Sequence, residues 1–224
     1  RNALLTEKRS VNSKDRVRLT FNHQEPDRVP IFELHIDAQP AAEILGHWVP
    51  VGYSGEAMGK FQNEMIIDGR VDEFQKMHMA GRLELLRKLD HDIIRTFPYL
   101  IDPPVPEVLD ENVWRFPAVV DGHSLNVWRS DGEKRDYWTI CRFIPETDSY
   151  MEVDSSVCRY GVTQLEQMVE ELEERTPDFE GISFRNVEWV AETARDVCKM
   201  GWADVPFFAN SWMPVFLEAM AAQP

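Results

Sequence analysis

The sequence predicts an α/β protein with parallel strands, because strand-like and helix-like segments alternate along it. An alternating segment over 29–36 precedes a long amphipathic helix over 71–89, and a second strand-like segment, 91–97, follows that helix directly. A strand, a helix and a further strand in this order are typical of the βαβ unit of parallel sheets. The chain has 224 residues, 43% of them hydrophobic, which is enough for one large domain with a buried core.

The charge of the chain excludes some classes of partner. Lys and Arg number 24 against 39 Asp and Glu, which gives a formal net charge of −15. Such a surface repels nucleic acids and anionic membranes. No apolar run approaches the roughly 20 residues that cross a bilayer, and no signal peptide is recognisable, so we expect a cytoplasmic protein. The cysteines, interpreted as small core residues of a reducing compartment, are Cys141, Cys158 and Cys198.

The start of the chain predicts an arm, a helix and a strand. Residues 1–12 are polar and are expected to form an arm, with a single domain over 13–224. Ser13 is predicted to cap a helix that ends before the two prolines of EPDRVP. In the strand that follows, three ionisable residues on one face, Glu33, His35 and Asp37, alternate with Phe32, Leu34 and Ile36. A polar row that lines a barrel and the solvated face of an edge strand are both compatible with this pattern.

The remaining segments predict short helical pieces over 38–70 and a small antiparallel excursion over about 105–150. Turn-forming residues at 110–112, 121–122 and 131–132 separate its short strands. Its aromatic residues are interpreted as packing residues and are Trp114, Trp128, Tyr137 and Trp138. Further on, the apolar spacing predicts helices over 162–175 and 186–200 and a third parallel strand near 205–210.

The opening of the chain resembles the uroporphyrinogen decarboxylase superfamily, in which an S-x-x-R-V helix leads through a P-D-R-V-P turn into the first barrel strand. The residues that carry this resemblance are Ser13, Arg16, Val17, Pro26, Asp27, Arg28, Val29 and Pro30. Weaker similarity follows in LRKLDHDIIRTFP and in TARDVCKMGWADVPFFANSWMPVFLEAM. The resemblance implies the N-terminal portion of a (β/α)8 TIM barrel, since three of eight strands are found. We therefore expect a native polypeptide longer than this chain, or a homodimer mate that covers the open side.

Departures from the family pattern favour its methyltransferase branch. Uroporphyrinogen decarboxylases carry arginines after the first strand, whereas the corresponding ELHIDAQP has none, and Phe97 stands where they carry an aspartate. The implied activity is transfer of a methyl group between a small methylated substrate and a corrinoid protein or thiol. A decarboxylase-like lyase is the second hypothesis, and a non-catalytic fragment or interaction domain is the third.

The resemblance also implies a binding site and cofactors. The candidate substrate-binding residues are Glu33, His35, Asp37, Arg95, Tyr99, Asn210 and Trp212. The alternative is that Glu33 pairs with Arg95 and His35 is a core residue. The implied cofactors are zinc and a corrinoid carried by a partner protein. No histidine lies two residues from a cysteine, so no zinc ligand is assigned in this chain. The histidines that receive no role are His47, His78, His91 and His123.

Overall fold

The structure, a computed structural model, describes residues 11–52, 55–96, 99–100, 102–117, 119–120, 123–124, 126–128, 134–173 and 182–201. It is a mixed α/β fold with parallel and antiparallel sheets. The helices are α1 (Ser13–Phe21), α2 (Ala38–Leu45), α3 (Gln62–Ile67), α4 (Val71–Lys88), α5 (Ser156–Tyr160), α6 (Val162–Glu173) and α7 (Arg185–Thr193), with a π-helix at Ala57–Phe61 and a 3-10 helix at Pro145–Thr147. The strands are β1 (Ile93–Thr96), β2 (Tyr99–Leu100), β3 (Glu107–Asp110), β4 (Val113–Pro117), β5 (Val119–Val120), β6 (His123–Ser124), β7 (Asn126–Trp128), β8 (Lys134–Asp136), β9 (Trp138–Ile144), β10 (Ser149–Ser155), β11 (Ile182–Ser183) and β12 (Cys198–Gly201).

The chain divides into two compact units. Of the described residues, unit 1 contains those within 11–51, 76–96 and 184–201, and unit 2 contains those within 52–75 and 99–183. Among the described residues no sheet closes on itself, so the expected TIM barrel is not confirmed, while the broader α/β prediction is. None of the helices in the described ranges is long and apolar enough to cross a membrane.

Unit 1 is organised around a parallel pair of strands. β1 pairs with β12 in a register that places Ile93 opposite Cys198 and Thr96 opposite Gly201. The strand predicted over 91–97 is thereby confirmed, and so is the helix predicted before it, which is α4. Side chains from α4, β1, α7 and the turn after α7 form one core cluster, whose buried members are Met79, Leu83, Leu86, Ile94, Val190, Ala194 and Val197. Fully burying side chains of this size stabilises the fold by about 1.5–3 kcal/mol each.

A second cluster fixes the segment between α2 and α4. Its buried members are Ala41, Val49, Val51 and Leu85. Gly81 allows this approach, because a Cβ at that position would lie 2.9 Å from the Cβ of Val49. The helix α4 therefore requires glycine where the 49–51 segment crosses it.

The first predicted strand is not formed as a strand. Residues 29–37 carry no strand or helix among the described elements. A strand requires a ladder of backbone hydrogen bonds with a neighbour. Here the Ile31 carbonyl accepts the Asp92 N–H at 2.8 Å, but the Ile31 N–H donates to the Asp92 side chain. In the described structure no backbone hydrogen bond joins residues 32–37 to β1, so the pairing does not extend beyond Ile31.

The helix predicted over 186–200 is shorter than expected. It ends at Thr193, and residues 198–201 form β12 instead. The apolar spacing that suggested a longer helix is real, since Val197 is buried in the core. The Cys198 N–H, however, donates to the Asp92 carbonyl at 3.0 Å rather than to a helical carbonyl. The strand predicted at 205–210 lies outside the described residues.

The first helix begins one residue earlier than predicted. Asn12, not Ser13, is its N-cap, and the Asn12 Oδ1 accepts the Asp15 N–H at 2.8 Å. A side-chain acceptor at this position satisfies one of the N–H groups that the first turn leaves unpaired. Val11 and Asn12 are the described residues of the predicted arm: the Val11 N–H donates to the Asp27 carboxylate at 3.4 Å, and Asn12 caps α1.

Unit 2 contains the predicted antiparallel excursion. Its four-stranded sheet has the order β10-β9-β4-β3, with all neighbours antiparallel. The short pairs β5–β6 and β7–β8 flank the turns predicted at 121–122 and 131–132. The helix predicted over 162–175 is confirmed as α6, with residues 174–175 outside the described part.

The aromatic residues of unit 2 pack as predicted. Trp114, Tyr137 and Trp138 are buried. The guanidinium groups of Arg115 and Arg159 lie 4.9 Å and 5.4 Å from the Trp138 ring centroid, within the range of cation–π attraction. The side chain of Trp128 lies outside the described part of the structure.

The cysteines correct one interpretation. All three carry free thiols, and Cys141 and Cys198 are half-buried. Cys158 is exposed, so its assignment to the core was wrong. It lies in the short helix α5, where the Cys158 N–H donates to the Ser155 hydroxyl at 3.2 Å.

Candidate functional site

A fully buried carboxylate, Asp92, is the centre of the largest charged cluster described in unit 1. It directly precedes β1, at the amino end of that strand. Its carboxylate accepts the Ile31 N–H at 2.8 Å and a hydrogen bond from the Ser13 side chain. Its own carbonyl accepts the Cys198 N–H at the start of β12. One residue therefore connects α1, the segment at Ile31 and both parallel strands.

Arg16 joins this carboxylate to the turn after α1. Its Nη1 bonds Asp92, and its Nε and Nη2 bond the two carboxylate oxygens of Asp27 at 2.6 Å and 2.9 Å. Such a two-bond pairing with a carboxylate fixes the plane of the guanidinium group. The same Nη2 donates to the Val11 carbonyl at 2.7 Å. Arg16 is buried, and these bonds replace the water it has lost.

Arg28, whose side chain is partly exposed, provides the second guanidinium group of the cluster. Its Nη1 lies 2.6 Å and its Nη2 3.2 Å from the two oxygens of Asp92. Its Nη2 also contacts the carboxylate of exposed Asp90 at 3.0 Å. Two guanidinium groups thus compensate one buried carboxylate, with Asp27 balancing the second positive charge.

The electrostatics keep both aspartates ionised. Hydrogen bonding to Arg16 holds the pKa of Asp27 far below its usual value, against the opposing effect of burial. For Asp92, burial acts to raise the pKa, but the bonds from Ile31, Ser13 and Arg16 outweigh it and lower the pKa. A carboxylate held in this way is a poor proton acceptor, so the cluster has the properties of a structural anchor rather than of an acid–base catalyst.

The predicted polar row lies on the more exposed side of its segment. Glu33 and His35 are exposed, and Asp37 is half-buried directly before α2. Their apolar neighbours Phe32, Leu34 and Ile36 are half-buried. The described residues form no closed barrel. The exposure of these side chains therefore does not distinguish a position at a barrel mouth from one on the outer surface. Substrate binding by these three residues stays a prediction.

The other predicted site residues divide between the two units. Arg95 is half-buried on β1, opposite Met200 in the register with β12. Tyr99 belongs to unit 2, where its hydroxyl donates to the Asp72 carboxylate at 2.8 Å, close to the start of α4. Asn210 and Trp212 lie outside the described residues. Four of the candidates therefore lie in unit 1: Glu33, His35, Asp37 and Arg95.

The described histidines form no metal site. His78 is buried in α4, and His47 lies 3.3 Å from the Glu84 carboxylate. Over the described ranges no three His, Cys, Asp or Glu side chains are grouped as metal ligands. These residues do not fit the zinc that the resemblance implies, and we assign no ligand to it.

Sequence reasoning identified the polar residues of the cluster but missed its centre. Ser13, Arg16, Asp27 and Arg28 were part of the family signature, whereas Asp92 was not singled out. The available signal was an aspartate at the second position of the predicted strand 91–97, in the DHD sequence that also contains Asp90. A charged residue at the start of a buried strand needs partners, and the two signature arginines were candidates.

Comparison of the chain with protein-family models, curated proteins and solved structures finds no significant match.

Proposed function

We propose that the chain is a methyltransferase-like enzyme of the uroporphyrinogen decarboxylase superfamily, built on strands of a (β/α)8 barrel. Its reaction would move a methyl group between a small methylated substrate and a corrinoid protein or thiol. The observation that carries the proposal is the convergence of the signature residues Ser13, Arg16 and Arg28 on Asp92, with Asp27 held by Arg16. Residues scattered over the opening of the chain act there as one unit.

The position of this cluster supports an enzyme of the barrel type. The cluster lies at the amino end of β1. In such barrels the amino ends of the strands stabilise the fold, and the loops after the carboxyl ends carry the chemistry. Arg95, near the carboxyl end of β1, then belongs to the reactive end of the fold.

The charges near Ile31 support a small substrate over a polyanion. The segment from Glu33 to Pro40 contains two carboxylates and one imidazole, and no arginine. Carboxylates here would repel a porphyrinogen with several acidic side chains, and paired guanidinium groups are what such groups require. A small methoxylated or methylated molecule, held by Arg95 where it carries an anionic group, suits this set better.

The chemistry that these residues could supply is binding and proton transfer. In methyl transfer, the bond between the methyl carbon and a substrate heteroatom breaks, and its electron pair stays on the heteroatom, which then takes a proton. The methyl carbon forms a new bond to the nucleophile of the acceptor. His35 or Glu33 is suited to supply the proton, because imidazole and carboxyl groups are the usual general acids of enzymes.

The test uses methyl groups labelled with deuterium. The chain is incubated with a CD3-labelled methoxyarene, methylamine or thioether, together with reduced cobalamin or glutathione, with and without Zn²⁺. We expect mass spectrometry to find the label in one of the two acceptors, with heat-denatured chain as the control. No label in either acceptor would contradict the proposal. Decarboxylation of uroporphyrinogen in a parallel reaction would favour the lyase instead.

A further inference from the structure

Asp92 and Ile31 are joined by two reciprocal hydrogen bonds. The Asp92 N–H donates to the Ile31 carbonyl at 2.8 Å, and the Ile31 N–H donates to the Asp92 Oδ2 at 2.8 Å. Both groups of the Ile31 backbone are therefore bound by one residue at the start of β1. Ile31 cannot shift by one position along β1 without losing both bonds.

The segment that follows is attached at two further points. The Leu34 carbonyl accepts from the Arg82 Nη2 at 3.3 Å, and Ile36 packs against the cluster that contains Leu85. Between these attachment points lie half-buried Phe32 and exposed Glu33 and His35. The attachments thus leave the two ionisable side chains accessible.

The three attachments differ in strength. The bond from Arg82 is long, at 3.3 Å, and Ile36 is only half-buried. The two bonds at Asp92 are both 2.8 Å long, and its fully buried carboxylate is also held by Arg16 and Arg28. A buried carboxylate held in this way tolerates little displacement. Asp92 is therefore the dominant attachment of the segment.

We infer that Asp92 is a positioning residue, which sets the register of the 31–37 segment beside β1 and so places Glu33 and His35 relative to Arg95. The part of this inference that concerns substrate binding rests on the proposed function. Its geometric part concerns the register alone, and it holds whatever the substrate is. The signature residues lie at the amino end of β1, and they would then position side chains of a site toward its carboxyl end.

The test compares two carboxylates that contact the same arginine. Asp92→Asn removes the buried charge, and Asp90→Asn removes the exposed one that also contacts Arg28. Amide hydrogen exchange of Ile31 and Asp92, whose N–H groups form the two reciprocal bonds, is measured by NMR in the full chain. We expect exchange to accelerate roughly tenfold or more in Asp92→Asn and to be unchanged in Asp90→Asn. Protection of β4 and β9, in unit 2, should be the same in all three proteins.

A second variant keeps the inference testable if Asp92→Asn does not fold. Arg28→Gln removes two bonds to Asp92 but leaves those from Arg16 and Ile31. We expect a smaller acceleration at Ile31 and Asp92, on the order of threefold. Unchanged exchange at these two amides in a folded Asp92→Asn, or in Arg28→Gln where Asp92→Asn is unfolded, would overturn the inference.

The exchange result is independent of catalysis. If the wild-type chain transfers no methyl group and the exchange changes as expected, the proposed function fails while the positioning role stands. If methyl transfer occurs, Asp92→Asn should raise KM for the methylated substrate with a smaller effect on kcat. Unchanged exchange together with an unchanged KM would leave the function standing and refute the positioning role.

Discussion

The Nδ1–H of His78 donates to the carbonyl oxygen of Pro50 across 2.7 Å, inside a buried part of unit 1. A carbonyl oxygen can only accept, so this ring nitrogen carries a proton. Burial, assisted by the positive charge of Arg82, lowers the pKa of His78 from 6.5 to about 4. The residue is thus a structural histidine whose charged form the fold disfavours.

This relationship predicts loss of stability in mild acid. The folded pKa lies below the unfolded one, so stability is fully present above pH 6.5 and declines as the pH falls toward about 4. Between pH 7 and 4.5 the free energy of unfolding should fall by about 2 kcal/mol through this residue. Urea unfolding at both pH values measures it. The free energy of unfolding of His78→Gln should decline less between these pH values. An equal decline in His78→Gln and wild type would show that other groups cause it.

The carboxylates of the charged cluster predict a second, more acidic transition. The folded pKa values of Asp27 and Asp92 are lowered, so their contribution is present above the unfolded value of about 4 and is lost as the pH falls further. Circular dichroism during acid titration should therefore show a transition below pH 4 that Asp27→Asn reduces. A titration curve that is identical in Asp27→Asn and wild type would contradict this.

Arg16 is predicted to be the more important of two arginines in one helix. Arg16→Gln leaves two ionised aspartates with fewer partners in a buried site and should destabilise the chain by about 3–5 kcal/mol. Arg18→Gln is the matched control, because Arg18 is exposed and pairs only with Asp15 within the helix. Its effect should remain below about 0.5 kcal/mol. Equal effects in urea unfolding would show that the cluster adds little to stability.

Gly59 is predicted to be required by its contact with Tyr150. A Cβ at Gly59 would lie 2.5 Å from the Tyr150 Cδ2, so Gly59→Ala must displace a ring that also bonds Asn63. The expected loss is about 1–3 kcal/mol. Gly46→Ala provides the contrast: no atom lies near its Cβ position, so its loss should come from backbone strain at a φ of +82° and should not be relieved by Tyr150→Ala. Combining Gly59→Ala with Tyr150→Ala should remove most of the steric penalty, and a purely additive loss in unfolding would exclude the contact as its cause.

The elements that could be predicted from sequence are those with a strong local signal. Helix α4 has 18 residues of regular apolar spacing, and the strands of unit 2 are separated by recognisable turn residues. The 29–36 segment shows the expected alternation in burial, but alternation alone does not provide a hydrogen-bonding partner. Asp92 was missed because its partners Arg16 and Ile31 lie 76 and 61 positions away in the chain.

The end of α7 shows a second limit of periodicity. Residues Val190, Ala194 and Val197 are all buried, so the apolar spacing continues past the end of the helix at Thr193. The backbone has already left the helical conformation at Ala194, which has a φ of −128°. The Cys198 N–H then donates to the Asp92 carbonyl where β12 begins, a tertiary contact that the local apolar pattern does not predict.

The most direct measurement of the account is the rate of methyl transfer by wild type, His35→Gln and His47→Gln. Both histidines are exposed in unit 1, but His35 belongs to the predicted polar row whereas His47 lies beside Glu84. We expect transfer by the wild-type chain, a kcat/KM about tenfold lower in His35→Gln from loss of a substrate contact or of the proton donor, and wild-type values in His47→Gln. No transfer by the wild-type chain, or equal kinetics in both variants, would contradict the account.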